Sequence, residues 1–324
     1  MTYNAQTGAS QLVADLAADI KDKVILITGP SPGSIGAAFA EAVAAGQPAL
    51  IILATRNPSK VEPVSQSIAS AHPSVKVRTL ELDLGSLEKV RRATDDVNSW
   101  ADVPVIDVVV NNAGIMAVPF ELSPEGVESQ FATNHLGHFL FVNLIMAKIL
   151  AARAPRVVIV ASDAHRLQSI RFGGVNFDDG KVYNKWLAYG QSKTANMLTA
   201  LALANKLGKR GLLAFSLHPG VILTHLADHL DAQKEFADLH ALEVTQGNRE
   251  AKDEMKFKTP DQGAATSVYA AFYPGLKDHN GAYLQDCQVA DPWTQCVRPW
   301  GTDPVEAEML WKLTEELAGQ EFSY

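Results

Sequence analysis

Residues 24–36 read VILITGPSPGSIG, and residues 37–46 continue as AAFAEAVAAG. The opening run, 24–28, is apolar, rich in β-branched residues and too short for a helix, so it reads as a strand covered on both faces. Gly29, Pro30, Pro32, Gly33 and Gly36 then break the strand with a turn, and an alanine-rich helix follows over 35–46. Strand, glycine turn and helix form the first half of a β-α-β unit, and the chain repeats that unit. ALIILA (49–54), VKVRTLEL (75–82), VIDVVV (105–110), RVVIVA (156–161) and LLAFSL (212–217) read as further strands. Helices are expected at 59–71, 86–99, 124–150 and 186–207. The alternation predicts a parallel sheet with helices on both faces and right-handed crossovers.

With a short edge strand at GAYLQ (281–285), this is a doubly wound α/β fold of Rossmann type with about seven strands. No repeat or linker divides the chain, so 1–324 is expected to be one domain. Three parts lie outside the alternation. An extension, 1–22, holds a short amphipathic helix at 10–20. Residues 223–258 are polar, charged and helix-prone, in position to cap a ligand cleft or simply to form a solvated face. The tail, 286–324, ends in a helix at 304–317 with Met309, Leu310, Leu313 and Leu317 on one stripe.

Composition narrows the function classes. A hydrophobic share of 47% and a charged share of 20% are ordinary for a globular enzyme. The net charge of -8 argues against a nucleic-acid partner, which needs a basic face. No apolar stretch reaches membrane-span length, and the N-terminus lacks the basic start and apolar core of a secretory signal. Cys287 and Cys296 are too few for a disulfide framework, no metal site is expected, and a cytoplasmic setting is the default.

The glycine turn has two readings: a tight turn using glycine for positive φ, or a backbone cradle for a pyrophosphate at a helix N-terminus. Its place directly after the first strand favours the second, a dinucleotide site. The end of the second strand reads LATRNPSK (53–60). An acid there would accept the ribose hydroxyls of NAD, but Arg56 stands in its place, with Asn57 and Lys60 near it. Arginine forks onto phosphate, which points to NADP(H), against the alternative of a solvated loop arginine.

Further motifs fall at the carboxyl edge of the expected sheet: NNAG (111–114), Asn134 within TNHLGHF, Ser162 at the end of RVVIVAS, Tyr189 and Lys193 in AYGQSK, and HPG (218–220). In this order and spacing the chain resembles the short-chain dehydrogenase/reductase family over about residues 23–285. Within it, SDAH and AYGQSKTANML look most like the retinol-dehydrogenase and WW-domain-oxidoreductase-like branch, in the form found in fungi.

The resemblance implies hydride transfer between NADP(H) and a carbonyl or alcohol. It makes Tyr189 the acid-base group, Lys193 its tuning ammonium and a ribose ligand, Ser162 the support for the substrate oxygen, and Asn134 the holder of a water leading to Lys193. An ammonium beside a phenol is expected to lower its pKa. The implied cofactor ligands are Gly29, Ser31, Gly33, Ser34 and Ile35 at the turn, Arg56 and Asn57 at the ribose, and Asp83 and Leu84 at the adenine. Asn112, Ala113 and Gly114 follow, then Pro219, Gly220, Val221 and Thr224 near the nicotinamide and pyrophosphate, with Tyr189 and Lys193.

Two departures stand out. The turn carries one residue more than the family's usual T-G-x-x-x-G-x-G, so Gly33 and Ser34 compete for the middle glycine position. The interval from Ser162 to Tyr189 is long, which sets a loop at 163–185 with Phe172, Phe177 and Tyr183 beside the reacting carbon. Those aromatics, with Trp186, either wall an apolar pocket or belong to the core. His135 and His138 are expected as packed histidines rather than metal ligands, and His165 as a loop or capping residue. The expected substrate is a fairly apolar small molecule, and a homo-oligomer is admitted. Two rivals remain. One is a silent nucleotide sensor, which has no need of Ser162, Tyr189 and Lys193. The other is an epimerase or dehydratase that retains its cofactor.

Overall fold

The computed structural model describes residues 3–249 and 256–324. Among the described residues eight strands form one sheet: β1 (Val24–Thr28), β2 (Leu50–Thr55), β3 (Lys76–Glu81), β4 (Val108–Asn111), β5 (Arg156–Val160), β6 (Leu213–His218), β7 (Tyr283–Gln285) and β8 (Gln288–Val289). Their order is β3-β2-β1-β4-β5-β6-β7-β8. All pairings are parallel except β7 with β8. The expected strands are all present, and β8 adds a short antiparallel edge. β4 begins later than its apolar run because the Asp107 carboxylate is taken up by Lys23 Nζ and Val24 N, each at 3.0 Å.

The helices are α1 (Ala9–Asp15), α2 (Ala17–Ile20), α3 (Ile35–Ala44), α4 (Glu62–Ala71), α5 (Leu87–Ser99), α6 (Ser129–Phe131), α7 (Gly137–Leu144), α8 (Met146–Leu150), α9 (Lys185–Leu207), α10 (Ala232–Gln246), α11 (Pro260–Phe272) and α12 (Pro304–Ala318). They form two layers, selected by the period-two alternation of the strands. Leu26, Ile52, Val109 and Val157 face the layer of α5, α7, α9 and α12. Ile25, Ile27, Ile51, Val108, Val158 and Phe215 face the layer of α1, α3, α4 and α11. The central strands β1, β2, β4, β5 and β6 are therefore buried on both sides, which is why their sequences are continuous apolar runs, whereas the outer strand β3 alternates with exposed polar residues.

Three expected elements differ. The single helix at 124–150 starts only at Ser129 and is interrupted by a π turn at Ala132–Leu136. On α12 the buried face is Ala307, Leu310, Trp311, Thr314 and Ala318, while Met309 is exposed. Trp311 sets that face by packing edge-on to Phe139 at 4.8 Å between centroids. Within 223–258, α10 forms as expected, but residues 250–255 lie outside the described residues. Its charges are not simply a solvated face, because Glu235 and Glu243 are buried.

Candidate active site

The strand order reverses at β1, which pairs with β2 on one side and β4 on the other, and open α/β sheets bind ligands at such switch points. The glycine turn lies there. Gly29 has φ +70°, and a Cβ on it would come within 2.8 Å of Ala113 Cα, so turn and NNAG loop cross at a distance only glycine allows. Ser34 caps α3, its Oγ accepting Ala37 N–H at 3.1 Å. Ser31 O accepts Ser34 N–H at 3.0 Å. Gly33 and Pro32 are exposed, and Ser31, Ser34 and Ile35 are partly so, which leaves the turn open toward a ligand.

Beneath the turn, Thr28 organises the site. Its Oγ1 accepts N–H from Asn112 at 3.0 Å and Ala113 at 2.9 Å, and it lies 2.9 Å from His138 Nε2. Two accepted bonds leave the hydroxyl proton for Nε2, so Nδ1 carries the histidine proton and donates to Asn134 O at 3.1 Å. Burial holds His138 down at about 3, so it is neutral. Asn134 itself is fully buried in the π turn. Its side chain pairs with the backbone of Ile115 at 2.8 and 2.9 Å and donates to Ser192 Oγ at 2.9 Å. A Cβ at Gly114 would sit 3.0 Å from Asn134 Oδ1 and 3.7 Å from Lys193 Nζ, so glycine lets the loop pass close against both side chains.

Ser162 follows β5 and caps a short 3-10 turn, accepting Ala164 N–H at 3.1 Å and donating to Asp163 Oδ1 at 3.2 Å. Tyr189, from the second turn of α9, is close enough to Ser162 for that hydroxyl to favour its ionised form. One helical turn on, Lys193 Nζ is 5.5 Å from the Tyr189 ring centroid and donates to Val160 O at 3.0 Å. Both groups are buried, and their ionisation responds. Burial lowers Lys193 to about 8. Burial and the Asp163 charge push the Tyr189 phenol up, against a lowering contribution from Ser162. The expected depression of Tyr189 is therefore absent from the ligand-free protein. The phenol is enclosed by Ala117, Ala164, Leu167 and Trp186, while the ammonium is turned to the Val160 carbonyl.

The other expected residues are placed as follows. Arg56 is exposed just beyond β2, with no ion pair among the described residues, and its charge bears on Asp83 and Lys89. Asn57 Oδ1 is occupied by Ser59 N–H at 3.1 Å and Ser59 Oγ at 2.8 Å. Asp83 binds Lys89 Nζ at 2.8 Å and Gly85 N–H at 3.2 Å; burial raises its carboxyl, but these partners outweigh it and hold it low. Leu84 is buried. After β6, Pro219 is buried, Gly220 has φ +96°, and Val221 O accepts Lys258 N–H at 2.8 Å. Thr224 Oγ1 caps the next turn through Leu226 N–H at 3.4 Å.

The loop aromatics turn inward: Phe177 is fully buried, and Tyr183 Oη donates to Val118 O at 3.0 Å. His165 is likewise structural, with Nδ1 2.8 Å from Ser162 O and Nε2 accepting Arg298 N–H at 3.1 Å. Sequence reading quoted SDAH and HPG but gave Asp163 and His218 no role, and it missed Arg166. His218 Nδ1 accepts Asp163 N–H at 3.2 Å. The signal for Arg166 was its i, i+3 spacing from Asp163 in SDAHR. Leu230, Leu239 and Leu242 from 223–249, with Met116, close an apolar cluster around Tyr189 and Trp186.

A family model described as "short chain dehydrogenase" matches residues 23–235. The chloroplastic short-chain dehydrogenase TIC 32 A of Brassica napus is 36% identical over 313 residues, covering 92% of this chain and 91% of that protein. Human retinol dehydrogenase 14 is 32% identical over 313 residues, covering 92% and 86%. A putative uncharacterized protein of Mycobacterium paratuberculosis has a solved structure that superposes with a TM-score of 0.68 at 31% identity, covering 95% of this chain and 98% of that one. Among the described residues, no helix is long and apolar enough to cross a membrane.

Proposed function

The chain belongs to the short chain dehydrogenase family, with retinol-dehydrogenase-like relatives, and from that premise we propose that it is an NADP(H)-dependent oxidoreductase interconverting a ketone or aldehyde and its alcohol. The observation that carries this reading is the convergence of Tyr189, Ser162 and Lys193 beside Gly114 and Asn134, at the switch point where the glycine turn opens. The residues fit a nicotinamide dinucleotide: an open capped turn at the helix N-terminus, Gly114 passing close against Asn134 and Lys193, and a guanidinium at the end of β2. When bound, the cofactor supplies or accepts the hydride.

The chain's own groups do the rest. Ser162 Oγ and Tyr189 Oη both address the substrate oxygen, and Tyr189 holds the proton it needs on reduction. Lys193, as a buried cation, draws the phenol toward ionisation once it is turned from Val160 toward the ligand. Thr28 and His138 fix the Asn134 carbonyl by their directed hydrogen bonds. Arg56 selects the 2′-phosphate, with Asn57 shaping the turn. The apolar side chains around Tyr189 favour an apolar substrate, and residues 223–249 serve as its cover. We read 1–324 as one domain, since α1 packs on α3 and α11 and α12 packs on α9. Buried thiols at Cys287 and Cys296 suit a reducing compartment such as the cytoplasm.

Following NADPH absorbance with a panel of apolar ketones and aldehydes tests this. Consumption with some of the panel is expected. No consumption of NADPH or NADH with any carbonyl would overturn the reading.

A further inference from the structure

We propose that Arg166 is a positioning residue, coupling the docking of α10 to the serine turn through a buried Asp163–Arg166–Glu243 triad. The proposal rests on the reading of Ser162 and Tyr189 as the reacting pair. Arg166 takes no part in the chemistry assigned above, yet it is 9% exposed and shared between two carboxylates from different elements. Nη1 lies 2.8 Å from Asp163 Oδ2, in ion-pair contact though not aligned as a hydrogen bond. Nε donates to Glu243 Oε1 at 2.5 Å, and Nη2 contacts the same oxygen. Arginine keeps its charge in any such site.

The inward face of α10 explains why the triad matters. Glu235, Leu239, Leu242 and Gln246 recur at helical spacing, with Glu243 beside them. Glu235 is held at the start of α9 by Lys185 and by Trp186 Nε1 at 3.2 Å. Leu239 and Leu242 join the apolar cluster that contains Tyr189. Glu243 is held by Arg166, and Gln246 Nε2 donates to Leu167 O at 2.9 Å. Polar contacts thus pin both ends of the helix to elements that carry Ser162 and Tyr189. Lifting α10 carries Glu243 into water and leaves the guanidinium to Asp163 alone.

Asp163 passes that change on. Its Oδ1 accepts the Ser162 hydroxyl at 3.2 Å, and its negative charge opposes ionisation of Tyr189. Arg166 offsets that charge. The other groups facing Asp163 are His165 on its own turn and His218 from β6, with the Lys258–Asp286 pair behind His218. His218 is neutral here, because Nδ1 is the acceptor for Asp163 N–H. Cys296 of the tail reaches Asp163 O at 3.8 Å. Tyr189 is faced by Ser162, Asp163 and the Lys193 ammonium.

The test combines pH profiles of alcohol oxidation with hydrogen exchange of α10 in the ligand-free protein. Asp163→Asn removes the opposing charge and leaves Arg166 with Glu243. The Tyr189 limb should move down by about one pH unit while α10 stays protected. Arg166→Met should move the limb up by about one unit and loosen α10, and Asp163→Asn combined with Arg166→Met should bring the limb back near wild type. Glu243→Gln should speed exchange across 232–246 and raise KM several-fold without moving the limb upward. If Arg166→Met fails to fold, the Asp163 and Glu243 variants carry the test alone. An unmoved limb in Asp163→Asn, or unchanged exchange in Glu243→Gln, overturns the proposal. The exchange readout needs no turnover. Failure of the acid-base reading would show separately, as an active Tyr189→Phe enzyme.

Discussion

In the proposed reaction Tyr189 exchanges a proton from a site where burial and a neighbouring carboxylate both resist its ionisation. Tyr189→Phe keeps the packing against Trp186 and deletes the proton, so the fold and NADPH binding should persist. Turnover should fall by about 10²–10⁴-fold, the contribution of a positioned proton transfer. Steady-state kinetics check this, and turnover within a few-fold of wild type would remove Tyr189 from the mechanism. Ser162→Ala should cost about 10²–10³-fold in kcat if its hydroxyl supports the developing oxyanion. Lys193 offers a test that needs no substrate. Its folded pKa of about 8 lies below the ordinary lysine value of 10.5, so the unfolded chain binds the extra proton between them. The penalty is full below pH 8 and fades as pH rises toward 10.5. Lys193→Met should therefore stabilise the ligand-free fold by about 3 kcal/mol at neutral pH, with the advantage shrinking above pH 8. Urea midpoints across that range measure it, and a gain independent of pH would contradict the buried charge.

At the scale of elements, legibility in the sequence followed physical locality. The central strands were readable because burial on both faces makes each one a contiguous apolar run, and the outer β3 because its polar and apolar residues alternate. The candidate site groups that the fold brings together each sit in a short motif that the sequence displays: Tyr189 and Lys193 one turn apart, and Asn112 to Gly114 in one loop. The π turn at Ala132–Leu136 was not readable, since helix periodicity persists on either side of it. The Arg166–Glu243 pair was hidden for another reason: its partners are 77 residues apart, and nothing local marks either acid on α10 as buried. The face of α12 was also misjudged, because the choice between neighbouring stripes depends on what α7 and α9 present. Trp311 decides it, packing on Phe139 with Lys206 Nζ 4.9 Å from its ring. Trp311→Ala should cost about 3–5 kcal/mol of stability by leaving a cavity between α12 and that layer. Met309→Ala, on the exposed side, should change it by less than about 0.5 kcal/mol. Equal urea midpoints for the two variants would refute this assignment of the face.

For the whole molecule, the decisive quantity is where a net charge of -8 leaves room for a phosphate. The edge beyond β2 supplies that room: Arg56 and Lys60 are exposed there, and the Asp83 carboxylate is already engaged by Lys89. A 2′-phosphate meeting Arg56 would gain charge-assisted hydrogen bonds that the hydroxyl of NADH cannot match. Ligand that binds only the folded state adds stability in proportion to the logarithm of its concentration over Kd, about 2.7 kcal/mol at a hundredfold excess. NADPH should therefore raise Tm more than NADH at equal concentration. Because Arg56 is exposed, added salt should narrow the gap. Arg56→Asp replaces the guanidinium with a group that repels phosphate and accepts from ribose hydroxyls, so the order of the two cofactors should reverse while the Tm of the ligand-free protein stays nearly unchanged. Thermal melts of wild type and variant with each cofactor measure all three effects. A wild-type protein stabilised as much by NADH as by NADPH would leave Arg56 as a solvated loop residue and NADP(H) without its selecting group.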